Sequence, residues 1–152
     1  MAATVIGMLG YCQEAEDVGQ ETFLRFYQSL GKFRGESSVG TYLTRIAINL
    51  SLNEIRRRQQ RRKFFFSRTD DTMENVPDLN NPREQKETKQ IVQQGLQKLD
   101  PKFRTVLVLR LIDGYSTEET AQMLNLPVGT VLSRLARAQM KLRDILKPSF
   151  GG

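Results

Sequence analysis

The stretch from Tyr115 to Arg143, YSTEETAQMLNLPVGTVLSRLARAQMKLR, constrains the fold of this chain more than any other. Its pattern predicts two short helices around a tight turn, the second carrying a row of cations. Ser116 is placed to cap the first helix, and Glu119, three residues on, completes a capping box. Ala121 is small where two crossing helices must approach closely. Asn125 falls where the turn needs a left-handed residue, which Asn tolerates better than most. Leu124, Leu126, Val131 and Leu135 are spaced to close a small core between the helices, leaving Thr130, Ser133, Arg134, Arg137 and Lys141 on the outer side. A DNA major groove admits one such helix, and Arg pairs there with guanine edges or phosphates. Outward cations are more often only solvated. Here, however, cap, small residue, turn and basic helix agree at the right offsets, and the stretch reads as a DNA-binding helix-turn-helix.

Composition supports a polyanionic partner. The chain has 152 residues, enough for one ordinary domain or two small helical ones, with 23 Lys and Arg against 17 Asp and Glu, a net charge of +6 and a pI near 9.7. It has no His, and Cys12 is its one Cys. That removes the usual imidazole base, a Cys/His zinc cluster and an internal disulfide, so no cofactor is expected. The start, MAATVIGMLGYC, lacks the positive n-region of a signal peptide and is far short of the roughly 20 apolar residues that span a bilayer. The expectation is a soluble cytoplasmic protein without membrane insertion.

The fold class expected is all-α: two small helical domains, residues 1–66 and 88–152, joined by a flexible linker over 67–87. In the first domain Ala15, Val18, Thr22, Phe23, Phe26 and Leu30 form one helical stripe, and Val39, Tyr42, Leu43, Ile46, Ala47 and Leu50 another. Gly31 and KFRGESS separate the two helices, and Ser37 or Ser38 can cap the second. The linker is polar, net acidic and interrupted by Pro77 and Pro82, which predicts domains that move independently. In the second domain Asp100-Pro101 is a cap and first-turn pair, and Asp113-Gly114 ends the helix it opens.

The first domain carries chemistry of its own. Glu14, Glu16, Asp17, Gln20 and Glu21 make an acidic-polar face near a helix start, where the dipole favours carboxylates and where a basic partner could also dock. Downstream, Arg56, Arg57, Arg58, Arg61, Arg62 and Lys63 crowd eight positions, a density that favours phosphate contact. Lys32, Phe33, Arg34, Tyr42, Arg45, Asn49 and Asn53 precede them, and aromatics interleaved with cations and amides suit unstacked single-stranded bases.

AEDVGQETFLRFYQ, KFRGESSVGTYLTRIAINLSLNEIRRRQQRR and LDPKFRTVLVLRLIDGYSTEETAQMLNLPVGTVLSRLARAQMKLR, in this order, resemble bacterial RNA polymerase sigma factors. The resemblance is to the extracytoplasmic-function group with regions two and four, and it covers nearly the whole chain. It implies that Asp17, Gln20 and Glu21 dock on the β′ clamp helices of core RNA polymerase, with the β flap as a further contact. It implies that Lys32, Phe33, Arg34, Tyr42, Arg45, Asn49, Asn53, Arg56 and Arg57 melt and read the minus-ten element of promoter DNA. Thr130, Ser133, Arg134, Arg137 and Lys141 would read the minus-thirty-five duplex, with Arg104 a lesser phosphate contact, and an anti-sigma factor would hold the protein inactive. The chain departs from the pattern in having about one helix fewer before Met1, Tyr42 where Trp is frequent, Asn53 where Asp is common and Thr120 where a larger aliphatic is usual.

Two other classes compete. A helix-turn-helix regulator would bind duplex DNA without acting as a polymerase subunit. An enzyme would have to rest on carboxylates such as Asp70 and Asp71, which the linker leaves without support.

Overall fold

The computed structural model describes residues 1–32, 35, 38–68 and 84–150. Helices account for the regular structure of these residues, with no strand among them. They are α1 (Ala2–Leu9), α2 (Gln13–Gln28), α3 (Val39–Arg68), α4 (Glu84–Gln97), α5 (Pro101–Leu107), α6 (Thr117–Leu124) and α7 (Val128–Leu146). The all-α class expected from the sequence is what the structure shows. Most of the segment read as a linker lies outside the described residues, although α3 continues to Arg68 and α4 begins at Glu84.

In α2 the stripe closes over Ala15, Val18 and Thr22, but Phe23 and Leu30 stay about half exposed, at 54% and 48%. Ser38 caps α3, accepting from the Thr41 N–H at 3.1 Å, while Ser37 lies outside the described residues. The buried face of α3 is Thr44, Ala47, Ile48, Ser51 and Ile55, rotated from the expected stripe, and Val39 is exposed. The rotation arises because α3 packs on two helices at once, α2 on one flank and α1 on the other.

The first helix joins the two stripes at the N-terminal end. α1 is only eight residues long, yet Thr4, Val5, Gly7, Met8 and Leu9 are all buried. It lies between α2 and α3 of the first half and α4, α5 and the turn after α5 in the second. Val5, Met8 and Leu9 therefore share one apolar cluster with Ile48 and Ile55 on one side and Val108 and Leu109 on the other. Val108–Ile112 forms a π-helical turn continuing α5, closed by Asp113 N–H to Val108 O at 2.9 Å. A Cβ on Gly7 would stand 2.9 Å from Val108 Cγ2, so the close approach of α1 to this turn requires glycine.

Polar contacts cross the same seam. Thr4 Oγ1 donates to Asp113 Oδ2 at 2.6 Å, Gln97 Nε2 to Gly7 O at 3.2 Å, and Tyr115 OH to Thr44 Oγ1 at 3.2 Å. Burial pushes the Asp113 carboxyl above its ordinary value of 3.8, against the lowering effect of the Thr4 bond. A carboxyl raised in the folded state favours folding most when protonated, so its contribution is full below 3.8 and fades as pH rises through the folded value. One apolar cluster around α1 thus holds residues from both sides of the 67–87 segment.

The helix-turn-helix forms as its local signals demand. Ser116 and Glu119 make both bonds of the capping box, and Asn125 adopts φ 56°, ψ 50°. Val106, Ala121 and Val131 are buried together with Leu124, Leu126 and Leu135 against them. Thr120 is fully buried and its hydroxyl finds no partner among the described residues. Thr120→Val, which keeps the shape and removes the unpaired hydroxyl, is expected to stabilise the protein by about 1 kcal/mol. Urea denaturation checks this; a lowered midpoint would mean that the hydroxyl is satisfied.

Candidate nucleic-acid interface

The C-terminal candidates lie on α7, held by the α6 turn at one end and by the packing of α5 beneath. Ser133, Arg137 and Lys141 are exposed, Thr130 and Arg134 half-buried, and Val131 and Ala138 anchor the opposite face in the core. Arg134 and Arg137 make no hydrogen bond or ion pair with other described residues, so their guanidinium donors are available. Lys141 is partly engaged, its Nζ lying 5.6 Å from the centroid of the Phe103 ring.

Those of the first half divide. Lys32, Arg45, Asn49 and Asn53 are exposed, whereas Phe33 and Arg34 lie outside the described residues. Tyr42 is half-buried, stacked edge-on against Phe26 at 5.7 Å with its hydroxyl donating to Ser29 Oγ at 3.0 Å. Arg56 Nη1 donates to Asn53 Oδ1 at 2.7 Å, which orients both side chains.

The arginine run is less uniform than its sequence. Glu54, only 6% exposed, draws Arg57 to 3.5 Å, Arg61 to 3.3 Å and Arg58 to 3.9 Å. Arg58 turns inward to Glu14 at 3.5 Å and donates to Leu9 O at 3.3 Å, with Cys12 Sγ 3.0 Å from its Nη2. The Glu14 carboxyl is held below its ordinary value first by a hydrogen bond at its own backbone, then by Cys12, with Arg58 adding to the effect. Arg56, Arg62 and Lys63 remain exposed. Glu54 carried no sequence signal beyond its spacing of three, four and seven residues from these arginines.

On the acidic face Asp17 accepts from Gln13 at 3.1 Å, Glu21 pairs with Arg25 at 3.0 Å, and Gln20 is exposed. Phe23, Leu24 and Tyr27 are exposed on the same helix, so the face is apolar as well as acidic.

Arg104 requires a correction. It is 6% exposed and cannot reach a phosphate. Nε donates to Leu96 O at 2.9 Å, Nη2 to Gln97 O at 3.0 Å and Leu99 O at 2.9 Å, and Nη1 to Met8 O at 2.7 Å. The guanidinium thus satisfies carbonyls left open at the end of α4 and the last turn of α1. Burial, followed by repulsion from Arg58 and Arg62, pushes its pKa down to about 10, which still leaves it charged at neutral pH.

Between α3 and the helix-turn-helix lies a cleft of about 430 Å³ lined by Arg56 from one half and Arg134 from the other. Among the described residues no group of His, Cys, Asp and Glu can hold a metal ion, and no helix is long and apolar enough to cross a membrane.

Among the described residues, a capped helix-turn-helix with outward cations and an arginine-rich α3 are the features of a DNA-binding protein. Residues 2–62 match the family model for Sigma-70 region 2, and residues 89–142 that for Sigma-70, region 4. The chain is 36% identical to the RNA polymerase sigma-H factor of Pseudomonas aeruginosa over 144 residues, covering 90% of this chain and 75% of that one. It is 35% identical to the ECF RNA polymerase sigma factor SigW of Bacillus subtilis over 150 residues, covering 92% and 79%. Among solved structures it resembles the sigma factor RpoE of Bartonella quintana in complex with the anti-sigma factor NepR, with TM-score 0.74, 23% identity and coverage of 96% and 89%. It also resembles CnrH in complex with the cytosolic domain of CnrY, with TM-score 0.68, 26% identity and coverage of 97% and 80%. The chain belongs to the ECF RNA polymerase sigma factors, which are transcription initiation factors rather than enzymes.

Proposed function

We propose that this chain directs core RNA polymerase to promoters by dividing the work between its halves, residues 1–66 and 88–152. Thr130, Ser133, Arg134, Arg137 and Lys141 read the minus-thirty-five element as duplex. Lys32, Phe33, Arg34, Tyr42, Arg45, Asn49, Asn53, Arg56 and Arg57 melt and read the minus-ten element. Asp17, Gln20 and Glu21, with the exposed Phe23 and Tyr27 beside them, dock on the β′ clamp helices, and the second half meets the β flap. The protein works in the cytoplasm, where an anti-sigma factor restrains it. The capped helix-turn-helix, with Arg134 and Arg137 on its outer face and unpaired among the described residues, carries this reading.

One consequence follows from the packing. The two promoter elements lie roughly 25 base pairs apart, about 85 Å of duplex. Arg56 and Arg134 share a single cleft. Both elements can be read together only after the α1 seam opens, so the packed arrangement is the free or restrained form and polymerase binds the open one.

Run-off transcription with core polymerase, with and without the protein, tests the function. Promoter-dependent transcripts only in its presence are the expected result. Tight duplex binding without polymerase and no effect on transcription would favour the simple regulator.

The roles within the first half separate by strand opening. Removing charge at Arg56 and Arg57 is expected to weaken the closed complex in a salt-dependent way. Asn49→Ala is expected to leave that complex intact and reduce melting about tenfold, as loss of one base contact does. Permanganate reactivity of unpaired thymines near the start site distinguishes the two. Normal melting by Asn49→Ala with weaker binding would make this domain an electrostatic anchor only.

A further inference from the structure

The cleft between α3 and the helix-turn-helix takes cations from both of its sides. Arg56, Lys102 and Arg134 line it, and no acidic residue does. Arg134 has no partner among the described residues, Arg56 has the neutral Asn53, and Lys102 lies over the Phe103 ring at 5.2 Å. Three cations lining one cleft without a carboxylate give it a positive field that favours an anion between them. Leu52, Leu124 and Leu126 add apolar surface to the same lining. At about 430 Å³ the volume suits a small ligand. A duplex, with a major groove alone about 12 Å across, does not fit.

We propose that this cleft binds a nucleotide-sized oligophosphate, its phosphates on Arg56, Lys102 and Arg134 and its base against the leucine side chains, and that binding holds the two halves together. The site exists only in the closed form, because its cations come from both halves, so the ligand favours that form by its affinity for it. Bound ligand also withdraws Arg56 and Arg134, which the promoter reading needs.

The test uses the full chain without polymerase or DNA, so its result is independent of whether the promoter roles are right. ADP, pyrophosphate and adenosine are titrated separately by calorimetry at constant ionic strength, and thermal unfolding is followed with each. ADP is expected to bind in the micromolar to millimolar range and raise the unfolding temperature, with pyrophosphate weaker and adenosine weaker still. Lys102→Gln removes one phosphate contact without touching a residue assigned to promoter reading, and is expected to weaken ADP binding about tenfold. Arg134→Ala gives the same loss through the other half, and decides the matter if Lys102→Gln perturbs folding. Absence of ADP binding, binding unchanged by both substitutions, or an effect reproduced by sodium chloride at equal ionic strength overturns the proposal. Pyrophosphate binding as tightly as ADP overturns the role of the apolar lining, and with it the nucleotide.

Discussion

Arg104→Ala is expected to lower the stability of the folded protein by about 4 kcal/mol, a large effect for one substitution. The side chain donates to Leu96, Gln97, Leu99 and Met8 carbonyls, and its loss strands buried acceptors at the end of α4 and the last turn of α1 together. Water entering the vacated space recovers part of the loss, so the cost falls below the sum of four separate bonds. Arg104→Lys should recover less than half, because an ammonium is a point donor and cannot reproduce the planar fork. Equilibrium urea denaturation gives the numbers. A loss under about 1 kcal/mol for Arg104→Ala would mean that these carbonyls are readily hydrated and that the seam is loose.

The second large effect is functional. Replacing Arg137 with Ala is expected to reduce promoter use about tenfold to a hundredfold, the range for one well-made base contact of roughly 1–3 kcal/mol. Arg137 is exposed on α7 and has no partner among the described residues, so its removal should leave stability nearly unchanged. Arg134→Ala should show a similar loss if it too reads a base. If either residue meets only phosphate, its loss should weaken all promoters alike and flatten the salt dependence. Run-off transcription across several promoters and salt concentrations separates these outcomes. Unchanged transcription from both variants would place a different face of α7 in the groove.

The residues legible in advance were those whose structural reason is local. Ser116 and Glu119 cap α6 because a hydroxyl and a carboxylate three residues apart can satisfy two backbone donors of the first turn, wherever that helix sits. Asn125 takes the left-handed conformation because the turn demands it and Asn tolerates it. Spacing alone then decides which side of α7 is buried, with Val131 and Leu135 inward and Ser133 and Arg137 outward.

What only the tertiary structure decided involves residues whose partners are distant in the chain. A helical period at the start of the chain does not tell what α1 packs against, and its importance comes from lying between both halves, with Gly7 against Val108. Nothing near Arg104 distinguishes it from a surface arginine; the carbonyl of Met8, 96 positions away, completes its site. Arg58 and Arg56 look alike in the run NEIRRRQQRRK. Two positions apart on α3, they lie on nearly opposite faces, and the packing of α3 against α2 and α1 turns one toward Glu14 and the other toward the cleft. Local sequence sets which backbone groups need partners and which faces are apolar. Which cation is spent on holding the protein together, and which is left for DNA, depends on burial, and burial is settled only when the helices pack.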